Sequence, residues 1–142
     1  MSTPYEDIFD SFRDKIRSFS FVNFDKDDLD EILTGYLKSS IVRFKTCKKD
    51  LSDRDDLYKI FNEDLTDEEI EILATLMVER FLDPFIQTEE ILREKLSSKD
   101  YNLYSPSNFL KELREVRKEA KTEAQRLMTG YSYNDLEDFL RG

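Results

Sequence analysis

The sequence predicts an all-α protein, a small helical bundle of about four to five helices with a long C-terminal helix and an extended or short-helical C-terminal tail. Three observations lead there. Apolar residues recur at three- and four-residue spacing along most of the chain, as one buried helix face requires. Helix start signatures precede several of these runs. Only three Gly and three Pro interrupt the 142 residues, which together with long capped apolar runs leaves little sheet. The length suits a single helical domain, 1–142, with 131–142 as a candidate docking tail.

Taken in order, Thr3, Pro4 and Glu6 read as a capping box with Pro at the first helical position. Ile8, Phe9, Phe12 and Ile16 then mark a first helix over 4–17. Phe19, Phe21, Val22 and Phe24 are too apolar to be left in water and predict a buried strap. Asp25 caps a second helix with an acidic first turn, whose apolar face reads Leu29, Ile32, Leu33, Tyr36, Leu37, Ile41 and Phe44. The signal weakens over 46–64, where Leu57, Ile60 and Phe61 suggest a short helix in the most mobile or partner-dependent internal segment. Thr66 with Glu69 gives a second capping box, and Ile70, Leu73, Leu76, Met77 and Val78 mark a central core helix to Leu82. Pro84 should end or kink it, with a shorter helix from Thr88 or Glu89 to Leu96 carried by Ile91, Leu92 and Leu96. A connection over 97–105 follows.

The longest element is SPSNFLKELREVRKEAKTEAQRLMTG, residues 105–130. Ser105 or Ser107 serves as cap, Pro106 favours the first turn, and Gly130 reads as a stop. A helix over 106–129 would be about 36 Å long. Phe109, Leu113, Val116, Ala120, Ala124 and Leu127 form one narrow stripe, with Leu110 and Met128 at its edge. Lys111, Arg114, Arg117, Lys118 and Lys121 fall on one flank; Glu112, Glu115, Glu119 and Glu123 fall on the other. Like charges four residues apart repel, so these flanks call for partners elsewhere. Two sources remain open: other helices of this chain, or a second copy whose acidic flank meets this basic one in a ring. Beyond Gly130, Tyr131, Tyr133, Leu136, Phe139 and Leu140 are too apolar for a solvated tail, which either folds onto its own core or docks elsewhere.

A net charge of -10 argues against general nucleic-acid binding, which gains affinity by neutralising phosphates. The absence of His removes the commonest base and metal ligand, and a lone Cys47 excludes an internal disulfide. No Gly-rich phosphate loop is present. The acidic runs Asp25, Asp27, Asp28, Asp30 and Asp50, Asp53, Asp55, Asp56 lack the glycine and final glutamate of a calcium loop. The expectation is a protein that is not an enzyme, with no cofactor and no metal. No apolar run approaches a membrane span, and MSTPYEDIFD does not read as an export signal.

The segments LSDRDD, LTDEEIEILATLMVERFLDP, KDYNLYSPSNFLKELREVRKEAKTEAQRLM and YSYNDLEDF resemble small helical structural proteins of tailed bacteriophages. Head-tail connector proteins, also called adaptor or head-completion proteins, are the class they are most similar to. That resemblance implies a virion structural protein: a homo-oligomeric ring in the neck, a dodecamer matching the portal. Its implied partners are the portal protein and a downstream tail or neck protein, with DNA only as the passing genome in an acidic channel, and no membrane. It further implies subunit contacts through Arg114, Arg117, Lys118, Lys121, Glu112, Glu115, Glu119 and Glu123. Docking on the portal or a neighbour would fall to Tyr131, Tyr133, Leu136, Phe139 and Leu140. The alternatives are a small acidic inhibitor that mimics DNA, or another helical virion or host-interaction protein.

Overall fold

A computed structural model describes residues 2–17, 19, 26–104 and 108–141; side chains at 26–30, 104, 135–139 and 141 fall outside that description. In chain order the elements are β1 (Thr3–Pro4), α1 (Tyr5–Ile16), α2 (Lys26–Arg43), β2 (Arg54–Asp55), β3 (Ile60–Phe61), α3 (Asp67–Lys95), α4 (Ser98–Tyr104) and α5 (Phe109–Arg141). The protein is mostly helical, with a long C-terminal helix and one small sheet. The centre is α3, against which α1, α2 and α5 all pack. Every residue from Ile72 to Glu79 on it is buried. Burial over two full turns, without a wet face, requires neighbours on all sides.

The predicted start of α3 is observed. Thr66 Oγ1 accepts from the Glu69 amide at 3.2 Å, and Glu69 Oε1 accepts from the Thr66 amide at 2.8 Å. Its predicted interruption is not: α3 runs through Pro84 to Lys95 as one helix, and the separate helix expected from 88 or 89 is its last part. An interior proline costs roughly 3 kcal/mol. Leu82 and Ile86 are buried on either side of it, each burial stabilising by about 1.5–3 kcal/mol, while the Pro84 ring itself is exposed. Burial outweighs the missing hydrogen bond. Further along, Ile91 is half exposed and Leu92 and Leu96 only partly covered.

The short helix expected around Leu57, Ile60 and Phe61 is a hairpin. Strand β3 lies between β1 and β2, antiparallel to both, with Thr3 and Arg54 opposite Phe61 and Pro4 and Asp55 opposite Ile60. Asp55 Oδ1 accepts from the amides of Leu57 and Tyr58 at 2.9 and 3.1 Å, and Lys59 adopts a left-handed φ of 56°. Aspartate side chains that take up backbone amides compete with a helix for them. Leu57 is left at the exposed tip, whereas Phe61 is buried against Tyr5, ring centroids 4.9 Å apart.

The same sheet overturns the first capping box. The Thr3 hydroxyl donates to the Glu63 carbonyl at 3.0 Å and accepts from the Leu65 amide at 2.9 Å. Helix α1 therefore starts behind Pro4 without a side-chain cap. Its buried face, Tyr5, Ile8, Phe9, Phe12 and Ile16, contains all four predicted positions. On α2, Leu33 and Leu37 are buried, as is Phe44 just beyond it, and Tyr36 and Ile41 pack partly against the core; Ile32 faces outward, 48% exposed. Phe19 of the expected strap packs against the core, while Phe21, Val22, Phe24 and the cap Asp25 lie outside the described residues.

The connection expected over 97–105 holds α4, and the start signals Ser105, Pro106 and Ser107 lie outside the described residues. At its other end α5 does not stop at Gly130. It continues to Arg141, a span of 33 residues or about 50 Å, and no described glycine has a positive φ. The reason is the next residue: Tyr131 lies in line with Leu113 and Ala124 and is 5% exposed, so burial carries the helix past its weakest residue.

Candidate functional site: the outer face of the long helix

The inward stripe of α5 follows the predicted spacing. Leu110, Leu113 and Ala124 are buried, and Phe109, Val116, Ala120, Leu127 and Met128 pack partly against the core. With that line turned to the protein, the two charged flanks lie along its edges and face outward.

Part of the basic flank is compensated from within the chain. Arg114 Nη2 lies 2.9 Å from Glu90 Oε1, and Arg117 Nη1 lies 3.2 Å from Asp83 Oδ1, both acids on α3. Glu123 pairs with Arg126 one turn along α5, and that hydrogen bond holds the Glu123 carboxyl below its ordinary range. A different situation holds for Lys118 and Lys121 on one edge and Glu112, Glu115 and Glu119 on the other. These five are exposed and form no ion pair among the described residues. Of the eight residues expected as subunit contacts, α3 thus holds two, α5 itself holds one, and five face solvent.

The tail residues divide as well. Tyr133 and Leu140 are exposed, 65% and 75%, on the outer side of α5. The side chains of Leu136 and Phe139 lie outside the described residues. Tyr131, expected at a docking surface, is instead a core residue. Its ring packs edge-on to Phe44 at 5.3 Å, and the Lys48 ammonium lies 5.3 Å from its centroid. Its hydroxyl donates to Glu69 Oε2 at 2.7 Å and accepts from the Lys48 amide at 2.8 Å.

That contact exposes a cluster the sequence reading missed. Glu69, 1% exposed, caps α3 with one oxygen and receives Tyr131 with the other; Lys49 Nζ is 3.6 Å from Oε1, and Cys47 Sγ donates to Oε2 at 3.6 Å. Burial alone would raise the Glu69 carboxyl, but the Thr66 amide, the Tyr131 hydroxyl and the Lys49 charge bring it below its ordinary value. The Tyr131 hydroxyl moves up, through burial and then its bond to Glu69. Burial, reinforced by the Glu69 charge, also pushes the Cys47 thiol up to about 11, which keeps it protonated and unreactive at neutral pH. The node therefore ties α3, α5 and the loop after α2 together. The sequence did carry one clue, because Tyr131 lies seven residues beyond Ala124 on the buried line.

Elsewhere, Glu79 Oε1 accepts from Arg43 Nη2 at 2.8 Å while Oε2 is buried without a hydrogen-bond partner. A cleft of about 460 Å³ between the end of α3, α4 and the start of α5 is lined by Arg93, Tyr101, Asn102, Phe109 and Lys111 among others. No group of three His, Cys, Asp or Glu side chains among the described residues is placed to hold a metal ion. No helix among them is long and apolar enough to cross a membrane. Compared with known proteins, the chain matches no family model, no curated protein and no solved structure.

Proposed function

We propose that this chain is a structural subunit of a tailed-phage virion, assembling in several copies as a ring in the neck between the portal and a downstream tail or neck protein. The observation that carries the reading is the outer face of α5, where Lys118 and Lys121 line one edge and Glu112, Glu115 and Glu119 the other, none of them paired among the described residues. An isolated helix loses stability from like charges at this spacing, whereas repeated copies would bring opposite edges together. The last turns of α5, with Tyr133 and Leu140 outward, provide the surface for the portal or an adjoining copy. A net charge of -10 suits a passage through which DNA slides without adhering. The role is architectural, without a catalytic step or cofactor.

The test uses particles. Virions of the phage encoding this chain are purified and analysed by mass spectrometry and electron microscopy. A fixed multi-copy component at the neck is the expected result. Absence from mature particles removes this reading and brings forward an acidic DNA-mimicking inhibitor.

A further inference from the structure

The direction in which copies meet is written into the placement of the charges on α5. Measured from Leu113 at about 100° per residue, Lys118 and Lys121 lie at roughly 80–140° around the helix, and Glu115 and Glu119 at roughly 200–240°. The core line takes the opposite side, so these edges flank the solvent face. Two neighbours related by a two-fold axis across the helices would run in opposite directions and bring lysine edge to lysine edge, or glutamate edge to glutamate edge. Neighbours running in the same direction bring the lysine edge of one to the glutamate edge of the next. At matched height, Lys118 and Lys121 of one copy then lie within about one turn of Glu119 of the other, and Lys118 within about one turn of Glu115.

A second observation selects the same direction. Tyr133 and Leu140 are exposed in the final turns of α5, whereas the first turns carry only charged residues on that side. Parallel neighbours bring Tyr133 and Leu140 of one copy to the height of the same residues in the next. Antiparallel neighbours would lay Tyr133 and Leu140 beside charged first turns and strip water from those charges without pairing them.

We infer that a second copy of this chain docks on the outer face of α5 with the two helices parallel and in register, lysine edge against glutamate edge. The inference rests on the reading of α5 as the contact between copies, and adds its direction and register.

The test mixes unlabelled and ¹⁵N-labelled wild-type protein at high concentration and low salt, and treats it with a zero-length carbodiimide that joins amines to carboxylates. Mixed-isotope peptides should join Lys118 or Lys121 to Glu115 or Glu119, and should vanish at high salt. In sedimentation, Lys118→Glu with Lys121→Glu should lose association, as should Glu115→Lys with Glu119→Lys, each keeping the wild-type circular dichroism. Mixing the two variants should restore it. A wild-type protein that stays monomeric, links at unmatched heights, or association that survives charge reversal overturns the inference. If the protein is nonetheless found at the virion neck, only the assignment of this face falls; absence from virions with the crosslinks present removes the neck reading alone.

Discussion

Glu69 joins three separate parts of the fold: the start of α3, α5 and the loop after α2. It is buried yet charged, and its two oxygens hold the start of α3 and the hydroxyl of Tyr131 on α5. Its folded carboxyl titrates below its ordinary value. The stabilisation from this shift is therefore present in full above the ordinary glutamate range and is lost as pH falls through the lowered folded value. Glu69→Gln should destabilise the protein by about 1–3 kcal/mol at neutral pH, the range for a disturbed buried hydrogen-bonded group. The difference from wild type should shrink as acid protonates the native carboxyl. Denaturant unfolding of both proteins across the acidic range checks this, and a difference independent of pH would contradict it.

At the scale of the elements, α5 persists through a residue that ordinarily ends a helix. Gly130 has a helical conformation, and a Cβ built on it meets nothing within 4 Å. Gly130→Ala should therefore raise stability by roughly 0.5–1 kcal/mol, through the smaller conformational freedom of the unfolded chain. A higher melting temperature measures it; a lower one would show that the helix needs glycine there. The reverse trade holds at Pro84, where α3 accepts a missing backbone donor because flanking side chains are buried. Each case has the same cause. Local preferences are worth one to about three kcal/mol per residue, comparable with the burial of one large side chain, so tertiary packing decides the outcome.

For the whole molecule, Tyr131 is the last buried residue of α5 among the described side chains, and Tyr133 and Leu140 beyond it are exposed. A chain ending at Tyr131 keeps the Glu69 contact and the packing on Phe44; one ending at Gly130 loses both. The first truncation should unfold close to the full-length midpoint. The second should lose several kcal/mol, in the range for removal of a large buried aromatic. Thermal melts of the two truncated chains separate these outcomes, and equal melting would place Tyr131 outside the core. If the chain docks on a portal as proposed, that attachment should fail in both truncations, which remove the last turns of α5.

Much of this architecture was legible in the chain itself. The Thr66–Glu69 capping box was read from its residue types, and the buried face of α1 and the inward stripe of α5 follow from three- and four-residue spacing, because a helix turns spacing directly into a face. The sorted flanks were legible for the same reason, including the five expected contact charges that form no ion pair among the described residues. What the sequence could not decide were choices between a local partner and a distant one. Thr3 leaves its expected cap for Glu63 and Leu65, Arg114 and Arg117 turn to acids on α3, and Tyr131 finds Glu69 sixty-two residues away. Spacing specifies the face on which a side chain lies; only the packing of α3 against its neighbours determines what that face meets.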